Sequence, residues 1–188
     1  GLDWTVIMHG WKNPETGEYK VTEIYAEPQS DNMDVANRIV RWYNEKGADQ
    51  VNIDTIGVGT GVVSRVRELI GDQVIVNACH YGEGVGTRGK ETKAYPSERV
   101  QERRSDSPTK RFLNKKAQQY FRLRELFEEE LIDIPKNQKL TTELMNMKWD
   151  KSTSMKIKII DPELSPNYAD ALVYFIWKAE EEVILDFG

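Results

Sequence analysis

The order of two hydrophobic periodicities along the chain is the feature that most constrains its fold. Residues 5–10 and 19–27 are rich in β-branched and aromatic side chains, and the segment 13–17 between them has the composition of a turn. We therefore expect a β-hairpin at the start. Beyond it, segments with helical spacing alternate with short apolar runs. Because helices between strands pack onto the sheet, this order predicts an α/β fold with a mixed sheet.

Terminal signals bound the individual elements. Asp31 is suited to cap a helix that runs to about Lys46, and Gly47 is suited to end it. Other helices are predicted at 62–70, 110–131, 139–147 and 165–182, the last opened by Ser165-Pro166. We predict strands at 51–54 and 74–78, an extended piece at 132–135, and a small hairpin from 148–150 and 155–160. No linker or repeat divides the chain, so one domain over residues 1–188 is expected.

The composition is that of an ordinary globular protein. Apolar residues make up 39% and charged residues 30% of the 188 residues, and this length suits about one domain. No apolar run approaches the roughly 20 residues that a membrane span needs. The single cysteine, Cys79, excludes a disulfide within the chain, which suits a reducing cytoplasm. We expect Cys79 to be a core thiol.

The net charge of −5 does not exclude a nucleic-acid partner, because the distribution of charge matters more than its sum. Acidic clusters stand at 128–130 and 180–182, away from the main basic group. That group consists of Arg99, Arg103, Arg104, Lys110, Arg111, Lys115 and Lys116. We expect it to contact DNA phosphates with little base readout, the alternative being a solvated run of charge. Segment 81–107 has no clear period, which is typical of a functional flap or a disordered loop.

Asp54 is the first candidate for chemistry. It ends a short hydrophobic strand and is followed by a turn that contains Gly57, Gly59 and Gly61. Ligands of open α/β sheets bind at the carboxyl ends of strands, so a carboxylate here is well placed to reach a metal. The glycines lack the spacing of a phosphate loop or a dinucleotide fingerprint. They indicate tight turning of the backbone, and Asp54 as a simple turn cap is the alternative.

Asp170 is the second candidate, one turn into the predicted last helix. Ala169, Leu172, Val173 and Ile176 form an apolar stripe beside it. A carboxylate next to buried surface is costly unless it is paired or bound to a metal. The alternative is an acidic residue that the helix dipole favours near an N-terminus.

Asp3 stands just before the first strand, and its meaning depends on the other two aspartates. Nucleases that use two metal ions place carboxylates from separate elements around Mg²⁺ or Mn²⁺. An aspartate at the first strand, one at a later strand end and one on a terminal helix would supply such a set. We expect His9 and His80 to be structural, because neither has the spacing of a zinc ligand.

Four motifs resemble those of one known family, the large terminase subunits of tailed bacteriophages. The run 53–63, IDTIGVGTGVV, resembles the segment that carries their second catalytic acid, and 165–172, SPNYADAL, resembles the closing motif that carries the third. Between them, 112–117, FLNKKA, resembles a helix start of the family. The opening GLDW resembles the segment of the first acid. The motifs occur in the family's order and extend over nearly the whole chain.

The resemblance implies an RNase H-like fold, with a mixed central sheet flanked by helices, an inserted basic flap and a small β-hairpin. It implies a nuclease domain that cuts concatemeric double-stranded viral DNA during genome packaging. Asp3, Asp54 and Asp170 would be the catalytic residues and the ligands of two divalent cations, Mg²⁺ or Mn²⁺. Asp161 and Glu163, just before the last helix, are candidate outer ligands, although solvation in a loop is the simpler expectation.

The same resemblance implies partners beyond DNA. The chain has no G-x-x-x-x-G-K-[ST] motif, so the ATPase domain of such a protein is expected elsewhere in a longer polypeptide. The portal and the small terminase subunit would be further partners in the host cytoplasm, and no membrane is involved. Two alternatives stay open: another RNase H-like nuclease, such as a junction resolvase or a transposase core, and a non-catalytic domain that binds DNA or packaging proteins.

Overall fold

The computed structural model describes residues 4–28, 31–56, 59–85 and 111–177. Its strands and helices follow the predicted order. The strands are β1 (Trp4–Lys12), β2 (Tyr19–Pro28), β3 (Gln50–Asp54), β4 (Ile75–Cys79), β5 (Ile132–Asp133), β6 (Lys148–Lys151) and β7 (Ile157–Ile160). The helices are α1 (Asn32–Lys46), α2 (Gly59–Ile70), α3 (Lys115–Glu128), α4 (Gln138–Asn146) and α5 (Asn167–Phe175). A 3-10 turn, Gly71–Gln73, follows α2.

Local signals in the sequence act as predicted at several boundaries. The Asp31 side chain accepts a hydrogen bond from the Met33 N–H at the start of α1, and the Gly47 N–H donates to the Tyr43 carbonyl at its end. In the first hairpin, the Asn13 side chain accepts a hydrogen bond from the Glu15 N–H within the turn. The antiparallel pairing of β1 with β2 confirms the predicted hairpin.

Four predicted helix boundaries are wrong, and one of them is the end of α3, which lies at Glu128 rather than at residue 131. Helix α2 begins at Gly59 rather than 62, so the glycine-rich segment already contributes its first turn. Helix α3 begins at Lys115 rather than 110, because the Asn114 side chain caps it by accepting a hydrogen bond from the Ala117 N–H. Upstream of this cap, Phe112 forms an isolated bridge with Ile157. Helix α5 ends at Phe175 rather than near 182.

The strands form three sheets. The first has the order β1-β2-β5, in which β2 pairs antiparallel with β1 and parallel with β5. The second contains β3 and β4, paired in parallel with Asp54 opposite Cys79. The third is the predicted small hairpin of β6 and β7. The first sheet is therefore mixed, as the order of elements predicts.

Helix α5 packs on both β1 and β3 and so joins the first two sheets. The Asn52 side-chain amide on β3 donates a 2.7 Å hydrogen bond to the Tyr174 carbonyl. On β1, a Cβ atom at Gly10 would lie 2.8 Å from the Phe175 ring and 2.0 Å from the Lys20 carbonyl oxygen, so only glycine permits this approach. Within the described ranges no backbone ladder joins β1 to β3, and a crevice of about 1230 Å³ is lined by residues of both strands.

The buried side chains form three clusters, and the largest surrounds α5. Leu172 and Val173 on this helix, and Ile176 directly after it, are fully buried, as the apolar stripe in the sequence predicts. A second cluster lies between α1, α2 and the β3-β4 pair, and a third lies under β7 and the start of α3. Cys79 belongs to the first cluster, which confirms it as a core thiol.

Candidate active site

The backbone around Asp54 is fixed by hydrogen bonds at the carboxyl end of β3. The Thr55 N–H and hydroxyl both donate to the Cys79 carbonyl on β4, each at 2.9 Å. One oxygen of Asp54, Oδ1, accepts a 2.8 Å hydrogen bond from the Ile56 N–H. A Cβ at Gly59 would lie 1.8 Å from the Asp54 carbonyl oxygen. Because glycine has no Cβ, α2 can begin directly against the end of β3, which agrees with the tight backbone turn predicted from the glycine-rich segment.

Asp170 lies in the first turn of α5, and two tyrosines hold its carboxylate. The Tyr120 hydroxyl donates to Oδ1 at 2.6 Å and the Tyr81 hydroxyl donates to the same oxygen at 3.0 Å. Burial raises the pKa of Asp170, and the nearby Asp54 charge raises it further, while Lys116 and the two hydroxyls lower it. The raised pKa shows that the protein alone does not fully compensate this buried negative charge.

Asp54 and Asp170 line the same crevice, with Tyr174 beside them. Burial raises the pKa of the Tyr174 hydroxyl, and the neighbouring charge of Asp54 adds to the effect. Hydrogen-bonding influence from Asp54 and Tyr81 also acts on the pKa of this buried hydroxyl, although it makes no hydrogen bond of normal geometry with any residue in the described ranges. A buried polar atom that lacks a well-formed hydrogen bond is costly, so a polar ligand in the crevice would relieve this cost.

The donor set at this crevice fits a hard divalent cation. Asp54 and Asp170 offer carboxylate oxygens from different elements, and such oxygens are the ligands that Mg²⁺ and Mn²⁺ prefer. Their mutual repulsion, visible in the pKa of Asp170, would be relieved by a positive ion between them. No group of three histidine, cysteine or acidic residues suited to a metal occurs within residues 4–28, 31–56, 59–85 and 111–177. The third predicted acid, Asp3, lies outside these residues.

Lys116 brings positive charge to the same region. Its ammonium group pairs with the Asp161 carboxylate and lies 5.1 Å from the centre of the Tyr81 ring. The Asp161 side chain is 69% exposed, in agreement with the solvated loop residue expected from the sequence, and it also pairs with this lysine at the edge of the site. The pair is positioned by the start of α3 and by the loop that leads to α5.

Glu143 is a site residue that the sequence did not reveal. It lies on α4, and its Oε2 accepts hydrogen bonds from the Tyr168 and Ala169 N–H groups, at 2.7 and 2.9 Å. These groups belong to the first turn of α5, whose preceding residue, Pro166, supplies no side-chain cap. Glu143 therefore caps, from another helix, the turn that carries Asp170. A cap contributed from 25 residues away has no local sequence signature.

Solved structures of nuclease domains have this fold. The chain superimposes on the nuclease domain of the large terminase subunit gp2 of bacterial virus Sf6 with a TM-score of 0.67 and 20% identity, over 95% of this chain and 89% of that one. The large terminase nuclease of thermophilic phage G20c with bound magnesium matches at 0.57 and 15% identity, over 93% and 74%. The chain has the fold of a terminase nuclease domain.

This fold confirms the mixed α/β architecture of an RNase H-like domain with a small β-hairpin. The predicted basic flap, at 81–107, lies outside the described residues from residue 86 onwards. Related Sf6 structures contain manganese or calcium, and a G20c structure contains cobalt. No family model matches the chain, and no curated protein matches it. Among the helices of the described ranges, none is long and apolar enough to cross a bilayer.

Only three of the seven residues of the predicted basic group lie in the described part of the chain. Arg99, Arg103, Arg104 and Lys110 lie outside the described residues. The Arg111 side chain is half-exposed and lies 5.0 Å from the centre of the Phe112 ring. Lys115 is 6% exposed and Lys116 is paired with Asp161, so both contribute mainly within the fold.

Both histidines make hydrogen-bond contacts within the described residues, and His9 also lines the crevice of Asp54 and Asp170. One ring nitrogen of His9, Nδ1, lies 3.2 Å from the Thr22 hydroxyl, and the other lies 3.4 Å from the Gly47 carbonyl oxygen. The His80 Nδ1 accepts a hydrogen bond from the Gly82 N–H at 3.1 Å. Neither contact involves Asp54 or Asp170.

Proposed function

We propose that this chain is a metal-dependent endonuclease that cuts concatemeric double-stranded viral DNA during genome packaging. The observation that carries the proposal is the meeting of Asp54 and Asp170 in one crevice, in a fold shared with terminase nuclease domains. The reaction class is hydrolysis of a phosphodiester bond. It requires neither a serine nor a histidine nucleophile, in keeping with the structural contacts of both histidines.

Asp3 is proposed as the third carboxylate. Support comes from Trp4, the first residue of β1, whose ring lies 3.6 Å from the Lys139 ammonium group. The same ammonium lies 5.7 Å from the ring of Tyr168, in the first turn of α5 and two residues before Asp170. The start of β1 is thus near the turn that carries Asp170. This neighbourhood suits an acid immediately before Trp4 to complete the site.

Two divalent cations, Mg²⁺ or Mn²⁺, are proposed as cofactors, held by Asp54, Asp170 and Asp3. When bound, such ions activate a water nucleophile and stabilise the charge that develops on the phosphate. The protein's own part is to hold the ligands in place. The Ile56 N–H orients Asp54, and Tyr81 and Tyr120 orient Asp170. Lys116 supplies a positive charge near Asp170 that lowers the pKa of that carboxyl group.

Double-stranded DNA is the proposed substrate, contacted through the basic group by its phosphates and with little sequence specificity. Within that group, the half-exposed Arg111 is better placed for phosphate contact than the buried Lys115. We further infer that the chain works beside an ATPase domain of the same protein, with the portal and the small terminase subunit, in the host cytoplasm. These partners follow from the resemblance to terminases rather than from a surface of this chain.

Plasmid nicking tests the proposed activity. Supercoiled plasmid would be incubated with the protein and Mn²⁺, Mg²⁺ or EDTA, and the relaxed and linear products quantified on gels. We expect cutting with either metal, none in EDTA, and a fall to the EDTA level in Asp54→Asn and Asp170→Asn. The matched control is Asp72→Asn, since Asp72 is an exposed acid in the turn after α2.

The same assay separates the alternatives. If Asp54→Asn and Asp170→Asn cut as well as the parent protein, the catalytic proposal fails. A protein that binds DNA but cuts none with any of the metals would be the non-catalytic binding domain. Cutting confined to four-way junctions, with linear duplex left intact, would identify a junction resolvase instead.

A further inference from the structure

The two tyrosine hydroxyls beside Asp170 converge on one atom. Both donate to Oδ1, and the Tyr81 hydroxyl also lies 3.4 Å from the backbone carbonyl oxygen of Asp170. Tyr81 follows β4 and Tyr120 lies on α3, so two separate parts of the chain hold this atom. Both tyrosines are almost fully buried, at 4% and 7% exposure. Burial of both rings leaves each hydroxyl little freedom to turn away.

A carboxylate oxygen has about two lone-pair directions in which it accepts hydrogen bonds. At Oδ1 of Asp170 both are occupied by hydroxyl donors, at 2.6 and 3.0 Å. A cation approaching this oxygen would have to displace a buried hydroxyl, which would lose its partner inside the protein. The other oxygen, Oδ2, has no such donor among the described residues. Asp170 therefore has one blocked and one available oxygen.

We propose that Tyr81 and Tyr120 are positioning residues that make Asp170 a one-oxygen ligand, presenting Oδ2 alone to the divalent cation. This inference rests on the proposed function, because it concerns how that site holds its metal. Without the two hydroxyls, Asp170 is free to rotate about its side-chain bonds under repulsion from Asp54, and both of its oxygens become accessible. Fixed ligands bind metal more tightly and more selectively than ligands that must be ordered on binding.

The packing around the tyrosines suits this role. The Tyr81 ring stacks on Tyr174 with centroids 4.7 Å apart and 21° between the planes, and its other neighbours are Tyr120 and Trp177. Lys116 lies over the same ring, 5.1 Å from its centre. The aromatic rings alone would fill this space equally well as phenylalanines. The hydroxyls are therefore the part of these residues that core packing does not explain.

Removal of the hydroxyls alone tests the proposal. Tyr81→Phe, Tyr120→Phe and the double variant keep the rings. The matched control is Tyr19→Phe, which removes a buried hydroxyl whose hydrogen bond, accepted from Arg122 at 2.6 Å, does not involve Asp170. Binding of Mn²⁺ would be measured by titration calorimetry, alongside the melting temperature and the rate of plasmid nicking at saturating Mn²⁺.

We expect Mn²⁺ binding to weaken about tenfold in each of Tyr81→Phe and Tyr120→Phe, and more in the double variant. Tyr19→Phe should bind Mn²⁺ as the parent does, even if its melting temperature falls by as much as in the other variants. Equal Mn²⁺ affinity in the parent and in both single variants would overturn the proposal. If instead the proposed nuclease function is wrong, the result differs from this one. The parent protein itself would then neither bind Mn²⁺ through Asp54 and Asp170 nor nick the plasmid.

Discussion

Glu143 on α4 accepts a 2.9 Å hydrogen bond from the backbone N–H of Ala169, the residue directly before Asp170. The same oxygen also accepts a 2.7 Å hydrogen bond from the Tyr168 N–H. The orientation of the first turn of α5 is thus coupled to the position of α4. Burial raises the pKa of Glu143, which the two N–H donors partly offset.

Replacing Glu143 should therefore disturb both stability and the site. In Glu143→Ala the two N–H groups lose their acceptor, which we expect to cost about 1 kcal/mol of unfolding free energy, as for other helix caps. Glu143→Gln keeps an acceptor oxygen and should lose less. Urea titration followed by circular dichroism measures the difference. Equal stability of the alanine and glutamine variants would show that the cap contributes little.

The raised pKa of Asp170 predicts a pH dependence of stability in the metal-free protein. A carboxyl group whose pKa is higher in the folded state than in the unfolded state stabilises the fold most below its unfolded pKa. That contribution is lost as the pH rises through the folded pKa. At neutral pH in EDTA, Asp170→Asn should thus melt a few degrees higher than the parent. This difference in melting temperature should disappear as the pH falls to about 4, because the carboxyl group is then protonated in both states.

Melting curves in EDTA across this pH range, followed by calorimetry, provide the measurement. Addition of Mn²⁺ should raise the melting temperature of the parent protein and leave that of Asp170→Asn nearly unchanged. If Asp170→Asn melts below the parent at neutral pH in EDTA, the ionised carboxylate is stabilised by its neighbours and the predicted sign is wrong.

Gly59 and Gly61 provide a matched pair of substitutions within one helix turn. A Cβ at Gly59 would lie 1.8 Å from the Asp54 carbonyl oxygen, whereas at Gly61 the nearest atom is the Asn32 side-chain nitrogen at 3.9 Å. We expect Gly59→Ala to displace the end of β3, with a cost of roughly 1–3 kcal/mol and loss of nicking. Gly61→Ala should fold and cut normally, since alanine favours the helix. Urea unfolding and plasmid nicking of both variants would check this, and an active Gly59→Ala would contradict it.

The basic group predicts the dependence of DNA binding on salt. Charge reversal in Arg103→Glu and Arg104→Glu should weaken binding to duplexes of any sequence and flatten the decrease of affinity with salt concentration. Arg41→Glu is a suitable control, because Arg41 is exposed on α1 and pairs with Glu45. Fluorescence anisotropy at several salt concentrations would measure both quantities. Unchanged affinity in both variants would remove these arginines from the DNA interface.

Much of the fold was predictable because its signals are local. Asp31 and Gly47 mark the two ends of α1 through their own hydrogen bonds. The strand that ends at Asp54 is defined by its apolar residues. Asp170 was predictable from the apolar stripe that surrounds it on α5. The start of α3 was missed because the helical spacing continues upstream of Asn114, where Phe112 pairs with a distant strand.

The partners of the aspartates were not predictable, because they come from elements far away in the chain. Tyr81 and Tyr120 are 89 and 50 residues from Asp170, and their aromatic rings have the spacing of ordinary core residues. Nothing in the residues around either tyrosine distinguishes a hydroxyl that meets a carboxylate from one that meets solvent. The candidate carboxylates could thus be named from the sequence, whereas the residues that hold them could not.

The crevice between β1 and β3 has a mechanical consequence for the two carboxylates. Asp54 belongs to the β3-β4 pair and Asp170 to the helix that packs against the β1 sheet. Within the described residues, their relative position depends on helix α5 and on contacts such as the hydrogen bond from Asn52 to Tyr174. The candidate site therefore spans a place where, within the described residues, side chains and helix packing rather than strand pairing hold the two carboxylates together. A change in the packing of α5 would therefore alter the separation of the two carboxylates without breaking any strand pairing.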